Sequence, residues 1–288
     1  MNAATPGTKP YYYVPQPSHW PITGSCALFL LALGAASWVN GISFWPWLIG
    51  AGFLVLLVML FGWFGTVIGE SENHLYNKKV DSSFRWGMSW FIFSEVMFFA
   101  AFFGALFFIR NVSVPDLGST LTGRVLWPDY ASQWPTVGPY FKEQFSPMAA
   151  MGIPLLNTII LLTSGATLTI AHHALKAGHR GALNFWLFVT IVLGFTFLGF
   201  QAHEYIHAYT EQNLKLSTGV YGSTFFMLTG FHGLHVTIGA TMLTVMLGRT
   251  LKGHFDAQHH FAFEATAWYW HFVDVVWLLL FVLVYWMV

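Results

Sequence analysis

Charge is scarce in this sequence. Of its 288 residues only 8% are charged, whereas 56% are hydrophobic. A soluble domain carries about 25% charged residues, so water cannot be the solvent for most of this surface. The 12 Lys and Arg residues balance the 12 Asp and Glu residues. A formal net charge of zero gives no argument for a nucleic-acid or acidic partner.

Cysteine is almost absent. Cys26 is the single cysteine, which excludes an internal disulfide, a multi-cysteine metal site and a thiolate-bridged copper pair. The predicted helices also lack the paired histidines, about four turns apart, that two stacked haems would need. We therefore expect no metal or haem on this chain. The spacing of His203 and His207 could hold a metal, but a structural zinc site needs four ligands, and the role of this pair stays open.

Long apolar runs are abundant. A spanning helix needs about 20 mostly apolar residues, whereas barrel strands have about 10 and alternate. Seven runs meet the helical criterion, so we predict an all-α membrane protein with seven transmembrane helices. The predicted helices cover about Ile22–Val39, Phe44–Ile68, Phe84–Ile109, Met148–His172, Leu183–His207, Val220–Leu247 and Phe263–Trp286.

The basic residues predict the orientation of these helices. With the N-terminus inside, eight of the 12 Lys and Arg residues, Lys9 among them, fall on the inner side. The outer side holds Arg110, Arg124, Lys142 and Lys215. This asymmetry favours N-terminus in and C-terminus out.

Two connections between the helices stand out. The polar Glu70–Asp81 stretch separates helices one and two, about residues 22–68, from helices three to seven, about residues 84–287. We expect a two-helix group beside a five-helix group within one domain, residues 1–288. The longest connection, Asn111–Pro147, is expected to form an ordered cap over helix ends or an interfacial loop.

Several ionisable residues fall within the predicted helices, where burial in lipid is costly and often functional. Glu95 is the clearest candidate, either as a proton-handling carboxyl or as a protonated acid that holds helices together. His232 and His235 share one helix face. Glu264, His271 and Asp274 lie on the last helix, where the latter two form either a buried structural pair or a proton relay. The set assigned to buried polar or structural roles is His232, His235, Glu264, His271 and Asp274.

A second group of residues lies near the predicted inner membrane edge. Arg85 and Arg249 could reach anionic lipid headgroups or simply anchor their helices. Glu70 and Trp63 lie at a similar predicted depth. We expect this group, Arg85, Arg249, Glu70 and Trp63, to bind phospholipid.

Motifs along the chain resemble subunit III of aa3-type cytochrome c oxidases. The last helix carries FAFEATAWYWHFVDVVW (residues 261–277), and helix six carries GVYGSTFF (219–226) and GFHGLHV (230–236). PLLNT (154–158), AHH (171–173), SEVMFF (94–99) and SHWPI (18–22) also match, in the family's order. His203 and His207 depart from the family pattern.

The resemblance implies a non-catalytic subunit beside subunits I and II, with haem a and copper on other chains. It implies a lipid-filled cleft between the two helix groups, and it maps Glu95 to the family's membrane carboxyl. It also implies support for proton uptake, oxygen access and stability of the catalytic subunit. The long Asn111–Pro147 connection suggests a bacterial plasma membrane, with the mitochondrial inner membrane as the alternative.

Three other functions remain open at this point. A purely structural assembly subunit would use Glu95 only to hold helices together. Subunit III of a quinol oxidase is similar, but such chains usually lack the first two helices. A stand-alone proton-coupled transporter would use Glu95 as its coupling carboxyl, although the inverted repeats and broken helices common in transporters are not evident.

Overall fold

A computed structural model of the chain describes residues 13–140 and 144–288. Within these residues the chain forms nine α-helices and no strand. They are α1 (Trp20–Val39), α2 (Trp45–Glu72), α3 (Lys78–Phe108), α4 (Val114–Ser119), α5 (Leu121–Leu126), α6 (Ile153–Lys176), α7 (Arg180–Thr210), α8 (Gly219–Leu251) and α9 (Phe261–Leu280).

Seven helices in the described part of the chain are long and apolar enough to cross a bilayer, namely all except α4 and α5. The all-α prediction with seven spanning helices is therefore confirmed. Most of the helices extend beyond the predicted apolar windows, because a hydropathy window stops at charged residues whereas a helical backbone continues into the headgroup region. Asn77, for example, caps α3 seven residues before the predicted start at Phe84, by accepting bonds from the N–H groups of Lys79 and Val80 (both 3.0 Å). Helix α6 instead begins at Ile153, later than the predicted Met148.

Part of the connection predicted at Asn111–Pro147 is helical, which corrects the expected boundary of the third spanning helix. A π-helical turn (Ile109–Ser113) joins α3 to α4, so this span continues to Ser119. Pro115 lies in α4 directly after this π-helical turn, and because it has no N–H it leaves one carbonyl of the turn without its helical bond. The predicted helix ended at Ile109 because the apolar run stops there, before Arg110.

The later part of this connection caps the start of α8. The N–H groups of Val220 and Tyr221 donate to the carbonyls of Val137 (3.2 Å) and Thr136 (3.1 Å). The first N–H groups of a helix have no partner inside the helix, and the connection supplies acceptors for two of them. Residues 141–143 lie outside the described residues. Two of the basic residues that were counted for the orientation, Lys9 and Lys142, are therefore not described.

The chain divides into two compact units between Phe84 and Arg85. In the first unit α1 and α2 pack closely, because a methyl group added at Gly34 would lie 2.6 Å from Ile49. Small residues at such crossings let membrane helices approach each other. This pair of helices corresponds to the predicted two-helix group, and the second unit holds the remaining spanning helices.

Helix α9 is the centre of the second unit. Trp270 and Trp277 are both fully buried. Their indole N–H groups donate to Ser164 (2.9 Å) and Thr158 (2.9 Å) of α6. Buried Trp needs such a partner for its N–H, so these two bonds fix how α9 faces α6. The chain continues after α9 as a π-helical turn, Phe281–Trp286.

The space for the Trp270 ring comes from glycine in α7. A methyl group at Gly194 would lie 2.7 Å from the ring, whereas one at Gly199 would meet nothing within 4 Å.

We expect Gly194→Ala to lower the free energy of unfolding by about 1–3 kcal/mol through overpacking. Gly199→Ala, the matched control, should be neutral or stabilising by up to about 1 kcal/mol. Unfolding in mild detergent measures both, and equal stabilities for the two variants would contradict the packing described here.

Candidate functional site

Glu95 has a partner that lies far away in the sequence. Helix α3 places its carboxylate against His235 of α8, with Glu95 Oε2 2.8 Å from His235 Nε2. The side chains are only 21% and 11% exposed, so the pair is largely enclosed by the protein. The contact joins Glu95, which the sequence analysis singled out, to His235, which the sequence analysis assigned to a structural role.

The second ring nitrogen of His235 shows which atoms of this pair carry hydrogens. His235 Nδ1 lies 2.6 Å from the backbone carbonyl of Phe231. A carbonyl can only accept, so Nδ1 carries a hydrogen. The contact with Glu95 then has two forms: Glu95 protonated with neutral His235, or ionised Glu95 with a doubly protonated ring. Both share one proton and have zero net charge, which is the form in which membrane interiors tolerate ionisable groups.

Aromatic rings surround His235. The ring of Phe99 lies 5.0 Å from the imidazole centroid, that of Phe98 5.9 Å, and that of Tyr269 stacks at 6.3 Å. These rings exclude water from the imidazole and lower the local dielectric, which strengthens the bond to Glu95. The arrangement can hold a proton at a fixed place and transfer it over one hydrogen bond.

The other polar residues predicted within the helices make contacts of their own. His232 is 1% exposed, and its Nε2 donates to the carbonyl of Val273 (3.2 Å), which ties α8 to α9. Asp274 is buried and contacts His271 at 3.5 Å. His271 differs from the expectation of burial: its side chain is 43% exposed, because it shares the outward face of α9 with Val275. Its Nε2 contacts the Thr169 hydroxyl at 3.3 Å.

The residues assigned to lipid are partly engaged within the protein. The Arg85 guanidinium donates to Glu264 Oε2 (2.8 Å), an ion pair between α3 and α9 that sequence spacing could not indicate. Arg249 is 7% exposed, and its guanidinium lies 4.3 Å from the ring centroid of Phe255. It is therefore more enclosed than a freely snorkelling side chain.

In the first unit, Trp63 is 46% exposed on α2. Glu70, near the end of the same helix, accepts a hydrogen bond from the Tyr76 hydroxyl (2.7 Å). Burial, together with the nearby Glu70 carboxylate, raises the pKa of Tyr76 above its ordinary value, so Tyr76 remains a donor at physiological pH.

Glu204 is a buried acid that sequence reasoning passed over. The sequence analysis did not single it out, yet it is fully buried and accepts from Tyr285 Oη–H (2.7 Å). His207 contacts Glu211 at 3.2 Å. Among residues 13–140 and 144–288, no group of three or more His, Cys, Asp or Glu side chains could hold a metal ion.

Comparison with known proteins extends over nearly the whole chain. The family model "Cytochrome c oxidase subunit III" matches residues 9–288. The chain is 44% identical over 279 residues to cytochrome c oxidase subunit 3 of Mus musculus, covering 96% of both chains. It is 43% identical over 277 residues to the proteins of the same name from Rattus norvegicus and Latimeria chalumnae, again over 96% of each chain.

The chain belongs to the cytochrome c oxidase subunit III family. This family is a non-catalytic part of the oxidase complex, and its members act in an enzyme only as part of that complex. Subunit III has no redox centre of its own. With its seven spanning helices, the chain is a multi-pass membrane protein.

A double-mutant cycle tests the Glu95–His235 bond. We expect Glu95→Ala and His235→Ala to be coupled by about 0.6–1.7 kcal/mol, the range measured for hydrogen bonds between membrane helices. The free energy of unfolding in mixed micelles measures this coupling. Glu95→Ala combined with His271→Ala is the control and should be additive to within about 0.5 kcal/mol. Additivity in the first cycle would show that the bond does not form.

Proposed function

We propose that the chain, as subunit III of a cytochrome c oxidase, uses the Glu95–His235 pair to support proton uptake by the catalytic subunit and to keep that subunit active. In the complex, electrons pass from cytochrome c to oxygen through haem a and copper on other chains, and protons are pumped. The observation that carries the proposal is the 2.8 Å contact between two enclosed ionisable side chains, Glu95 and His235, in a subunit without redox chemistry.

The chemistry of the pair fits this role. Because its two proton positions are joined by one short hydrogen bond, a proton can be exchanged without creating net charge in the membrane. Glu95 is the more exposed of the two side chains, so protons would enter at its carboxyl. His235, held by the Phe231 carbonyl, would keep that carboxyl oriented.

Glu95→Gln separates proton exchange from hydrogen bonding, because the amide still bonds to His235 but cannot release a proton. We expect the purified complex to keep its haem content and subunit composition, and to show slower proton uptake or fewer turnovers before inactivation. Stopped-flow pH measurement and turnover assays record these two quantities. Glu211→Gln, at an acid whose side chain is 69% exposed, is the control and should match the parent. Unchanged uptake and lifetime in Glu95→Gln would reject the proposal.

We propose subunits I and II as the partners of this chain within the complex. Phospholipid is proposed as its ligand, and oxygen would diffuse to the catalytic subunit through that lipid. The Arg85–Glu264 ion pair supports the lipid assignment: the Arg85 side chain is 35% exposed beside Glu264, so it can meet a headgroup phosphate while remaining paired. The enclosed Arg249 would act mainly by fixing the end of α8. Glu70 and Trp63, in the first unit, are further proposed lipid contacts.

The lipid role predicts a change in composition. Arg85→Gln removes the charge that would attract a phosphate, and we expect the purified complex to lose at least one bound phospholipid, counted by mass spectrometry of extracted lipid. Arg124→Gln, at a basic residue of α5 on the opposite predicted side, should leave the lipid content unchanged. Equal lipid content in both variants would remove Arg85 from the lipid site.

Orientation and location complete the proposal. The distribution of basic residues supports N-terminus in and C-terminus out. The length of the Asn111–Pro147 connection is the ground on which we propose a bacterial plasma membrane, with the mitochondrial inner membrane as the alternative. The presence of α1 and α2 supports a cytochrome c oxidase over a quinol oxidase, whose subunit III usually lacks them. No observation favours a stand-alone transporter.

A further inference from the structure

Glu204 is enclosed on every side within α7, and its two oxygens have different surroundings. Oε1 accepts from the Tyr285 hydroxyl (2.7 Å) and from the Gln201 amide (3.3 Å). Within the described residues, Oε2 has no hydrogen-bond partner, and no basic side chain forms an ion pair with Glu204. A carboxylate shares its negative charge between both oxygens. An ionised Glu204 would therefore keep one charged oxygen without a hydrogen bond in the membrane interior, which is very costly.

Other polar atoms nearby are unpartnered too. In the part of the chain that the structure describes, Gln201 Oε1 and both amide atoms of Asn157 have no partner, although Asn157 is fully buried. The Thr167–Thr190 hydrogen bond (2.8 Å) sets the register of the antiparallel helices α6 and α7. Counting from that bond, Asn157 lies level with residue 200, beside Gln201. Glu204 lies about one helical turn further along α7, so the three buried polar residues lie within about one turn of each other along the helix pair.

Water is the ligand that fits these atoms. The unpartnered set contains acceptors and one amide donor, and a water molecule can donate to the first and accept from the second. Buried waters in proteins typically make about three hydrogen bonds to otherwise unsatisfied groups. A proton on Glu204 Oε2 would add a donor to the same network.

We propose that Asn157, Gln201 and Glu204 form an internal water-binding site in which Glu204 is a protonated carboxylic acid, a second proton-carrying group of this subunit. The site is distinct from the Glu95–His235 pair, since no residue is shared between them. Tyr285 anchors it to the π-helical turn that follows α9, so the site also links the C-terminal segment to α7.

Infrared spectroscopy of the intact complex in H₂O and D₂O tests the proposal. Subtraction of the Glu204→Gln spectrum from that of the parent should leave one carboxylic-acid carbonyl band, which moves to lower frequency in D₂O because water reaches the acid proton. Glu211→Gln, the control at an exposed acid, should change carboxylate bands only. A difference that contains carboxylate bands, or a band unmoved after prolonged D₂O exchange, would overturn the protonated, hydrated site.

A second variant keeps the test decisive if Glu204→Gln does not assemble. Tyr285→Phe retains the buried ring but removes the hydroxyl donor to Oε1. The carbonyl band should then rise in frequency, because a carbonyl that loses a hydrogen bond is less polarised. An unchanged carbonyl region in this variant would overturn the proposal. The band should persist in Glu95→Gln, which separates this site from the proposed uptake role of Glu95.

Discussion

The absence of water in a bilayer core governs this structure more than any single contact. Each backbone and side-chain polar group in a spanning segment must find its partner inside the protein. Hydroxyls meet this demand by bonding to carbonyls of their own helix, as Thr158 does with Pro154 (2.8 Å). Larger polar groups need partners on neighbouring helices, and those cross-helix bonds determine which faces of α6, α8 and α9 meet.

The same constraint connects packing with function. Trp270 and Trp277 fix α9 against α6, and the bond from His232 to Val273 fixes α8 against α9. With α8 held in place, His235 faces Glu95 of α3. A subunit without a redox centre thus provides a rigid support that presents a shared proton, and a change in the α9 packing would reach the proton pair through α8.

Sequence predicted the helices well because a run of about 20 apolar residues has few structural alternatives in lipid. It singled out Glu95 because an ionisable residue inside such a run is costly in lipid, and the role of Glu95 stays a prediction. It could not predict the partners, since Glu95 and His235 lie 140 positions apart and Arg85 and Glu264 lie 179 apart. Such pairings depend on helix rotation, and helices that are apolar on all sides carry little periodic signal of which face is inside.

The misplaced expectations have equally physical causes. Glu204 was passed over because sequence does not show which face of an apolar helix is inside, and the structure places it in the interior of the bundle. His271 was expected to be buried because it lies within a predicted spanning helix, but its outward position is supported by Asp274 and Thr169. The helical continuation to Ser119 was missed because the apolar run stops at Ile109, before Arg110.

Purification of the tagged chain in mild detergent, followed by visible spectroscopy and mass spectrometry, tests the central claim most directly. The account predicts that haem a and a large multi-helix partner co-purify with the chain, although the chain itself contributes no colour. A colourless, solitary protein that moves solute across liposome membranes would contradict it and identify a transporter instead.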